Sequence, residues 1–532
     1  MDTNNAIAKI GVALVVLCIV VALWLYVFPS GRFMQDGDEA SVQKEESKEV
    51  TLKPEDGGAG AEAKPLEDDA QKPLAPGRSV AYNIVARTDA EYARLLALLA
   101  QMGIAPDNVL QQLRSVALTA DRTTMERLLA EMGTLHFELD FQVSKPIEHV
   151  SSGMVPFRKS LLDWLKIDKG DTSRGNNVKI AVIDEPLTAT ESTANASIKQ
   201  MDLFSLAGQG ESFHGNSIAS ILVSNSDYLQ GIVPGASILS IPVVDGNGTG
   251  SCFNLASAIV AAVDNGANII SISLCSDGRS SVLENAVNYA NEKGCVVVAA
   301  AGNDGAHKNV YPASFANVIS VSACDATGSV TNFSNYGSKV DICAPGVGIV
   351  VDDSEPESNT LALFSGTSAA APCVAGVIAC VLWENPSMSA MQAAELVLEK
   401  AVDEGELSKD VFYGSGVLNY QRASLWENDN FTDVAATGHY FDLKAAENGT
   451  VPLHLNAQNT GNVKLGSITL NYMVNEQNGT ATFYDVEPGA SVSKVINVPM
   501  DELDNVKVST SVETDAEEHN MDNNAKTGTY SR

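Results

Sequence analysis

The stretch Gly366-Thr-Ser-Ala-Ala-Ala-Pro372, followed by Cys373-Val-Ala-Gly376 and the apolar run Val377 to Trp383, decides how this chain is read. A turn of small residues feeds a hydroxyl into the first turn of a buried helix. The N–H groups of that turn have no acceptor within the helix and carry partial positive charge. A serine placed there can attack a carbonyl and have the resulting oxyanion met by donors close by. Pro372 is expected in the first turn, where proline is tolerated. Taken alone, Gly-Thr-Ser reads equally as a hydroxyl cap on a core helix, so the rest of the chain has to decide.

A nucleophilic serine needs a base, and the base needs an orienting acid. Between Ser151 and Leu425 the histidines are His214 and His307. His214 opens a small-residue lead, His214-Gly-Asn-Ser217, into an apolar helical stretch ending at Leu222. Upstream, Val178-Lys-Ile-Ala-Val-Ile-Asp184 is a buried-strand pattern that ends in a carboxylate. Val296-Val-Val-Ala-Ala-Ala-Gly-Asn303 is a second such strand, and its terminal amide is suited to donate to an oxyanion. Open α/β sheets place their sites at strand C-termini.

The order Asp184, His214, Asn303, Ser368 resembles the subtilisin-like serine proteases, or subtilases. The resemblance runs from about 155 to 425 and includes Ile269-Ile-Ser-Ile-Ser-Leu274, Tyr311-Pro-Ala-Ser-Phe-Ala-Asn-Val-Ile319, Phe333-Ser-Asn-Tyr-Gly337, Asp341-Ile-Cys-Ala-Pro-Gly346 and Tyr413-Gly-Ser-Gly-Val-Leu-Asn419. It implies an α/β domain over 151–427, a mostly parallel sheet with helices on both faces. It implies Ser368 as nucleophile, His214 as general base, Asp184 as the acid that orients it, and Asn303 in the oxyanion hole. It further implies that Gly248 and Gly250, with Ser273, Leu274 and Cys275, lie on two strands that grip an extended peptide, and that Val310 narrows the pocket for the residue before the cut. Cys252 and Cys275 then fall on neighbouring strands, where the pair reads as a disulfide in an oxidising compartment or, alternatively, as two free thiols. Cys295, Cys324, Cys343 and Cys380 are expected as buried thiols. No cofactor is required and no metal ligand is assigned.

The chain departs from the family's usual pattern at four places. Glu185-Pro186 follows Asp184 where a small residue and glycine are usual, which alters the strand exit and puts an acid beside the cleft, suited to basic groups. Ser217, Ala369 and Cys373 stand where His, Met and His are common. None of these removes a catalytic role. A second reading keeps the scaffold inert and gives the work to the C-terminal module as a surface binding protein.

With 532 residues the chain has room for several domains. Its net charge of −32 argues against nucleic-acid partners, which need basic patches. Residues 1–9 are polar and read as cytoplasmic. Ile10 to Phe28 carries no charge and approaches the ~20 residues that span a bilayer. It reads as an uncleaved transmembrane anchor or, alternatively, as a cleaved signal sequence. Residues 29–78 are acidic, with Pro, Gly and Ala, and read as a disordered linker.

Residues 79–150 read as a small α+β unit. Val80 to Ala86 and Ser115 to Ala120 are strands. Asp89 to Met102 and Asp121 to Met132 are helices with apolar residues at i, i+3, i+4 and i+7, closed by Gly103 and Gly133. Leu135 to Val143 alternates as one half-buried strand. The layout is ferredoxin-like, and its position resembles the subtilase propeptide, which folds its protease and then inhibits it. Cleavage is expected between about Lys145 and Val155, leaving the anchor with the propeptide and freeing an extracytoplasmic protease. Residues 428–532 alternate in short strands with turn signals at Asn478-Gly479 and Pro488-Gly489, which suggests a β-sandwich. They resemble Ig-like (CARDB-type) adhesion modules, which implies a surface protein or glycan as partner. The acidic run Glu513, Asp515, Glu517, Glu518, Asp522 suits calcium or, alternatively, a solvated loop.

Overall fold

The structure, a computed structural model, describes residues 79–133, 135–147, 154–207, 213–352, 361–503 and 505–530. The expected anchor at 10–28 and linker at 29–78 lie outside the described residues, as do 148–153 within the expected cleavage region.

The first body is an antiparallel sheet of β1 (Val80–Val85), β2 (Asn108–Leu110), β3 (Ser115–Ala120) and β4 (His136–Leu139), in the order β2-β3-β1-β4. Helices α1 (Asp89–Gln101) and α2 (Arg122–Met132) cover one face. Thr88 and Asp121 cap them, each accepting a backbone N–H from the first turn. The helical periodicity seen in the sequence is the buried stripe: Tyr92, Leu95 and Leu99 on α1, Met125, Leu128 and Met132 on α2. Each fully buried leucine here contributes about 1.5–3 kcal/mol relative to exposure.

The single strand expected over Leu135 to Val143 is two. The chain leaves the sheet after β4, and β5 (Gln142–Ser144) belongs to a different partner. Phe137 stays partly exposed, whereas Val143 is fully buried in the core of the next body. The strand β2 was not legible in the sequence, because three residues are too few to show a period.

That next body is a seven-stranded, all-parallel sheet built from β6 (Lys179–Asp184), β7 (Ser197–Gln200), β8 (Ser237–Pro242), β10 (Ile269–Ile272), β11 (Val296–Ala300), β12 (Val318–Cys324) and β13 (Ile342–Pro345). The order is β13-β12-β11-β10-β6-β8-β7. Between β8 and β10 the chain adds the short cleft strand β9 (Thr249–Ser251), and after β13 the hairpin β14 (Ile349–Val351) and β15 (Ala362–Phe364). Strands such as β11, Val-Val-Val-Ala-Ala, are buried throughout, as a sheet with both faces covered requires. Helices α3 (Phe213–Val223), α4 (Cys252–Asp264), α5 (Ser281–Glu292), α6 (Thr367–Glu384) and α7 (Ala390–Glu399) cover it. By length and composition α6 is apolar enough to cross a membrane, but here it is the core helix, packed on β10 to β13.

The last body comprises an antiparallel three-stranded sheet, β16 (Val434–Phe441), β17 (Thr450–Asn459) and β20 (Ser491–Pro499), and an antiparallel four-stranded sheet, β18 (Leu465–Val474), β19 (Gln477–Val486), β21 (Val506–Thr514) and β22 (Ala525–Tyr530). Their inward side chains share one core. Asn478-Gly479 is not the turn it was expected to be. The turn is Asn475-Glu476, and Gly479 lies inside β19 opposite Tyr472, whose ring occupies the space a Cβ would need.

Candidate active site

Asp184 ends β6, and His214 is the second residue of α3. The imidazole Nδ1 lies 2.7 Å from the fully buried Asp184 Oδ1. That oxygen also accepts the Glu185 N–H at 2.8 Å. Burial works to lower the His214 pKa, but the charge and hydrogen bond of Asp184, helped by Glu185, outweigh it and hold the pKa above its ordinary value. The Phe364 ring meets the imidazole edge-on at 5.4 Å.

Ser368 is the second residue of α6. Its N-cap, Gly366, has φ 119°, a conformation side chains other than glycine rarely adopt. Pro372 lies a turn deeper than expected, inside the helix. Its missing N–H leaves the Ser368 carbonyl without the usual i→i+4 donor. The Ser273 hydroxyl donates to that carbonyl instead, at 2.9 Å. Ser273 therefore supports the serine from below, a contact that leaves no local signal in the sequence.

Asn303 follows β11. Its Oδ1 accepts from the Thr367 N–H at 2.9 Å and from the Thr367 hydroxyl at 2.8 Å. Two donors on one oxygen settle which end of the amide is which and turn Nδ2 the other way. Thr367 was legible only as the middle of Gly-Thr-Ser; its grip on Asn303 was not. Four buried polar atoms here have no hydrogen-bond partner: Asp184 Oδ2, His214 Nε2, Asn303 Nδ2 and Ser368 Oγ. Ser368 Oγ and His214 Nε2 are thus not hydrogen-bonded to each other, as is common before a substrate is seated.

The cleft is filled by the chain's own β5. It pairs antiparallel with β9, with Val143 opposite Gly250 and Ser144 opposite Thr249. On its other side Ser144 exchanges both backbone hydrogen bonds with Cys275, each 2.9 Å. Gly248 and Gly250 thus lie along the tail, and a Cβ on Gly250 would collide with the Val243 carbonyl. Leu274 and Val310 are buried in the same core that takes Val143 of the tail. Lys145 reaches back to Glu185, with Nζ 2.5 Å from Oε1, while Glu185 Oε2 accepts the His214 N–H at 3.1 Å.

Of the two readings of Cys252 and Cys275, the structure has the free thiols, and burial pushes each pKa up to about 12. Cys275 serves the cleft through its backbone. Cys295, Cys324, Cys343 and Cys380 are buried free thiols. The acidic run 513–522 does not converge. Asp515 accepts from Ser467 N, Glu518 from Asn524 and Val434 N, and Asp522 pairs with Lys166. Among the described residues no cluster of three metal-ligating groups occurs.

Residues 175–416 match the subtilase family. The chain is similar to thermitase of Thermoactinomyces vulgaris, 39% identical over 230 residues, 42% of this chain and 81% of that protein. It is similar to subtilisin Savinase of Lederbergia lenta, 35% identical over 255 residues, 47% of this chain and 91% of that protein. To the thermophilic serine proteinase of Bacillus sp. (strain AK1) it is 42% identical over 200 residues, 37% of this chain and 49% of that protein, so it spans about half that relative's length. The epidermin leader peptide processing serine protease of Staphylococcus aureus shares the fold, with TM-score 0.54 and 20% identity over 66% of this chain and 99% of that one. Sheet order, cleft and these relatives together make the chain a member of the subtilase family of serine endopeptidases.

Proposed function

We propose that the chain is a serine endopeptidase made as a self-processing zymogen. The observation that carries this is the set of buried, unpartnered polar atoms on Asp184, His214, Asn303 and Ser368, next to a cleft that already holds an extended peptide. Ser368 Oγ attacks the carbonyl of the bond to be cut and passes its proton to His214 Nε2. Asn303 Nδ2 and the Ser368 N–H hold the oxyanion. The intermediate collapses, the C–N bond breaks, and His214 returns the proton to the leaving amine. Water, activated by the same imidazole, then releases the acyl group. Asp184 fixes the tautomer and steadies the charged imidazole.

Residues 79–150 act as the propeptide in this reading. Their support is β5 in the cleft and two carboxylates on helix N-termini. Glu138 accepts from Ser281 N at 2.8 Å, opening α5, and Asp140 from Phe253 N at 3.1 Å, opening α4. Residues 10–28 hold the precursor at a membrane, the catalytic body is extracytoplasmic, and processing leaves the anchor with the propeptide. Residues 428–532 are an Ig-like sandwich for a surface protein or glycan.

The test is the mass and N-terminal sequence of the full chain beside Ser368→Ala, each with a C-terminal tag. The wild type is expected to begin between Lys145 and Val155 and to react with a fluorophosphonate, and the variant to stay intact and unlabelled. A wild type that neither processes nor labels overturns the reading.

A further inference from the structure

Glu185 is an unusual residue to bury. Its side chain is only 2% exposed, it stands next to Asp184, and its cationic partner is Lys145. Lys145 follows β5 directly and lies within the chain that fills the cleft. The Gly248 turn makes room for it: a Cβ there would sit 2.6 Å from Lys145 Cε. Ser144 is opposite Cys275. Continuing that antiparallel register sets Pro146 opposite Ser273, the residue whose hydroxyl holds the Ser368 carbonyl. On that register Pro146 is the residue directed toward Ser368, and Lys145 stands one position before it.

We propose that Glu185 is a specificity residue that selects lysine or arginine at the penultimate position before the cut. This rests on the endopeptidase reading. When the tail departs, Glu185 Oε1 loses its cation inside a buried pocket. An uncompensated buried carboxylate is costly, so a substrate that restores an ammonium or guanidinium is favoured and an acidic one is repelled. Glu185 Oε2 stays occupied by the His214 N–H, which fixes the carboxylate in the pose that Lys145 meets.

The test uses the full chain after self-processing, with fluorogenic peptides identical except for Lys, Arg, norleucine or Glu at the penultimate position. Norleucine keeps the length of lysine without its charge. Lys and Arg are expected to exceed norleucine in kcat/KM by about tenfold or more, with Glu lowest, and Glu185→Gln is expected to bring Lys within about threefold of norleucine. Equal rates for Lys and norleucine in a wild type that labels with fluorophosphonate overturn the subsite and leave the endopeptidase reading standing. No turnover and no labelling overturn both. If Glu185→Gln does not fold, the wild-type peptide series decides alone.

Discussion

His214 sits between opposing pressures. Burial favours its neutral form, while Asp184 and Glu185 favour the charged one and prevail. As the proposed base, it works only when neutral. Activity should therefore fall as pH drops through a pKa above the ordinary 6.5 of histidine. Removing the negative charge of Glu185 makes His214 harder to protonate, so Glu185→Gln should move this acid limb to lower pH. A kcat/KM profile on a peptide with norleucine before the last residue reads the limb without involving the proposed subsite. An unmoved limb would mean that Glu185 does not act on His214. These residues were legible because the chemistry demands rare types at strand and helix ends. Ser273 and Thr367 were less legible, because their contacts follow from Pro372 and Asn303 being neighbours in space.

At the scale of elements, the chain from β4 to β5 joins two bodies. Alternation over Leu135 to Val143 told that side chains would be buried but not which core would take each half. Period two is the same whether a strand ends its own sheet or enters another. What divides it is Asp140 and Glu138, whose carboxylates dock on α4 and α5. Glu138→Ala should cost about 1–2 kcal/mol of that docking, the usual worth of a lost cap. Hydrogen exchange at Gln142 to Ser144 in the intact Ser368→Ala chain should quicken accordingly, and unchanged exchange would remove the cap from the account. Asn478-Gly479 misled for a related reason: glycine in a strand can serve a ring across the sheet as well as a turn.

For the whole molecule, the C-terminal body is fixed to the catalytic one by buried polar contacts. Arg422 donates to the carbonyls of Thr460 and Ala401. Ser491 Oγ donates to Asp403 at 2.6 Å, and Lys526 Nζ lies 2.5 Å from Glu404 Oε2. Burial pushes the Glu404 pKa up to about 7 in spite of Lys526. A raised folded-state pKa means that stability is lost as pH rises through it. Lys526→Met should therefore destabilise the chain by about 3–5 kcal/mol above that pKa, the cost of stranding one buried charge, and by less below it. Urea unfolding on both sides of neutrality checks this; an equal loss at both would show that Glu404 is not the group responsible. The strands of this body are legible in the sequence but its attachment is not, since ion pairs between distant segments leave no local pattern.

The slot between β9 and Cys275 has a consequence for whatever replaces Gln142–Ser144. It engages main-chain amides and carbonyls on both sides, and it accepts about 3.3 Å of advance per residue. A helix rises only about 1.5 Å per residue and has already committed its amides. A segment within a native sheet has done the same. Only chain that has come loose from its own structure can be threaded here. Susceptibility of a folded protein would then be set by how often it frays locally, and a compact neighbour carrying the right side chains would pass untouched.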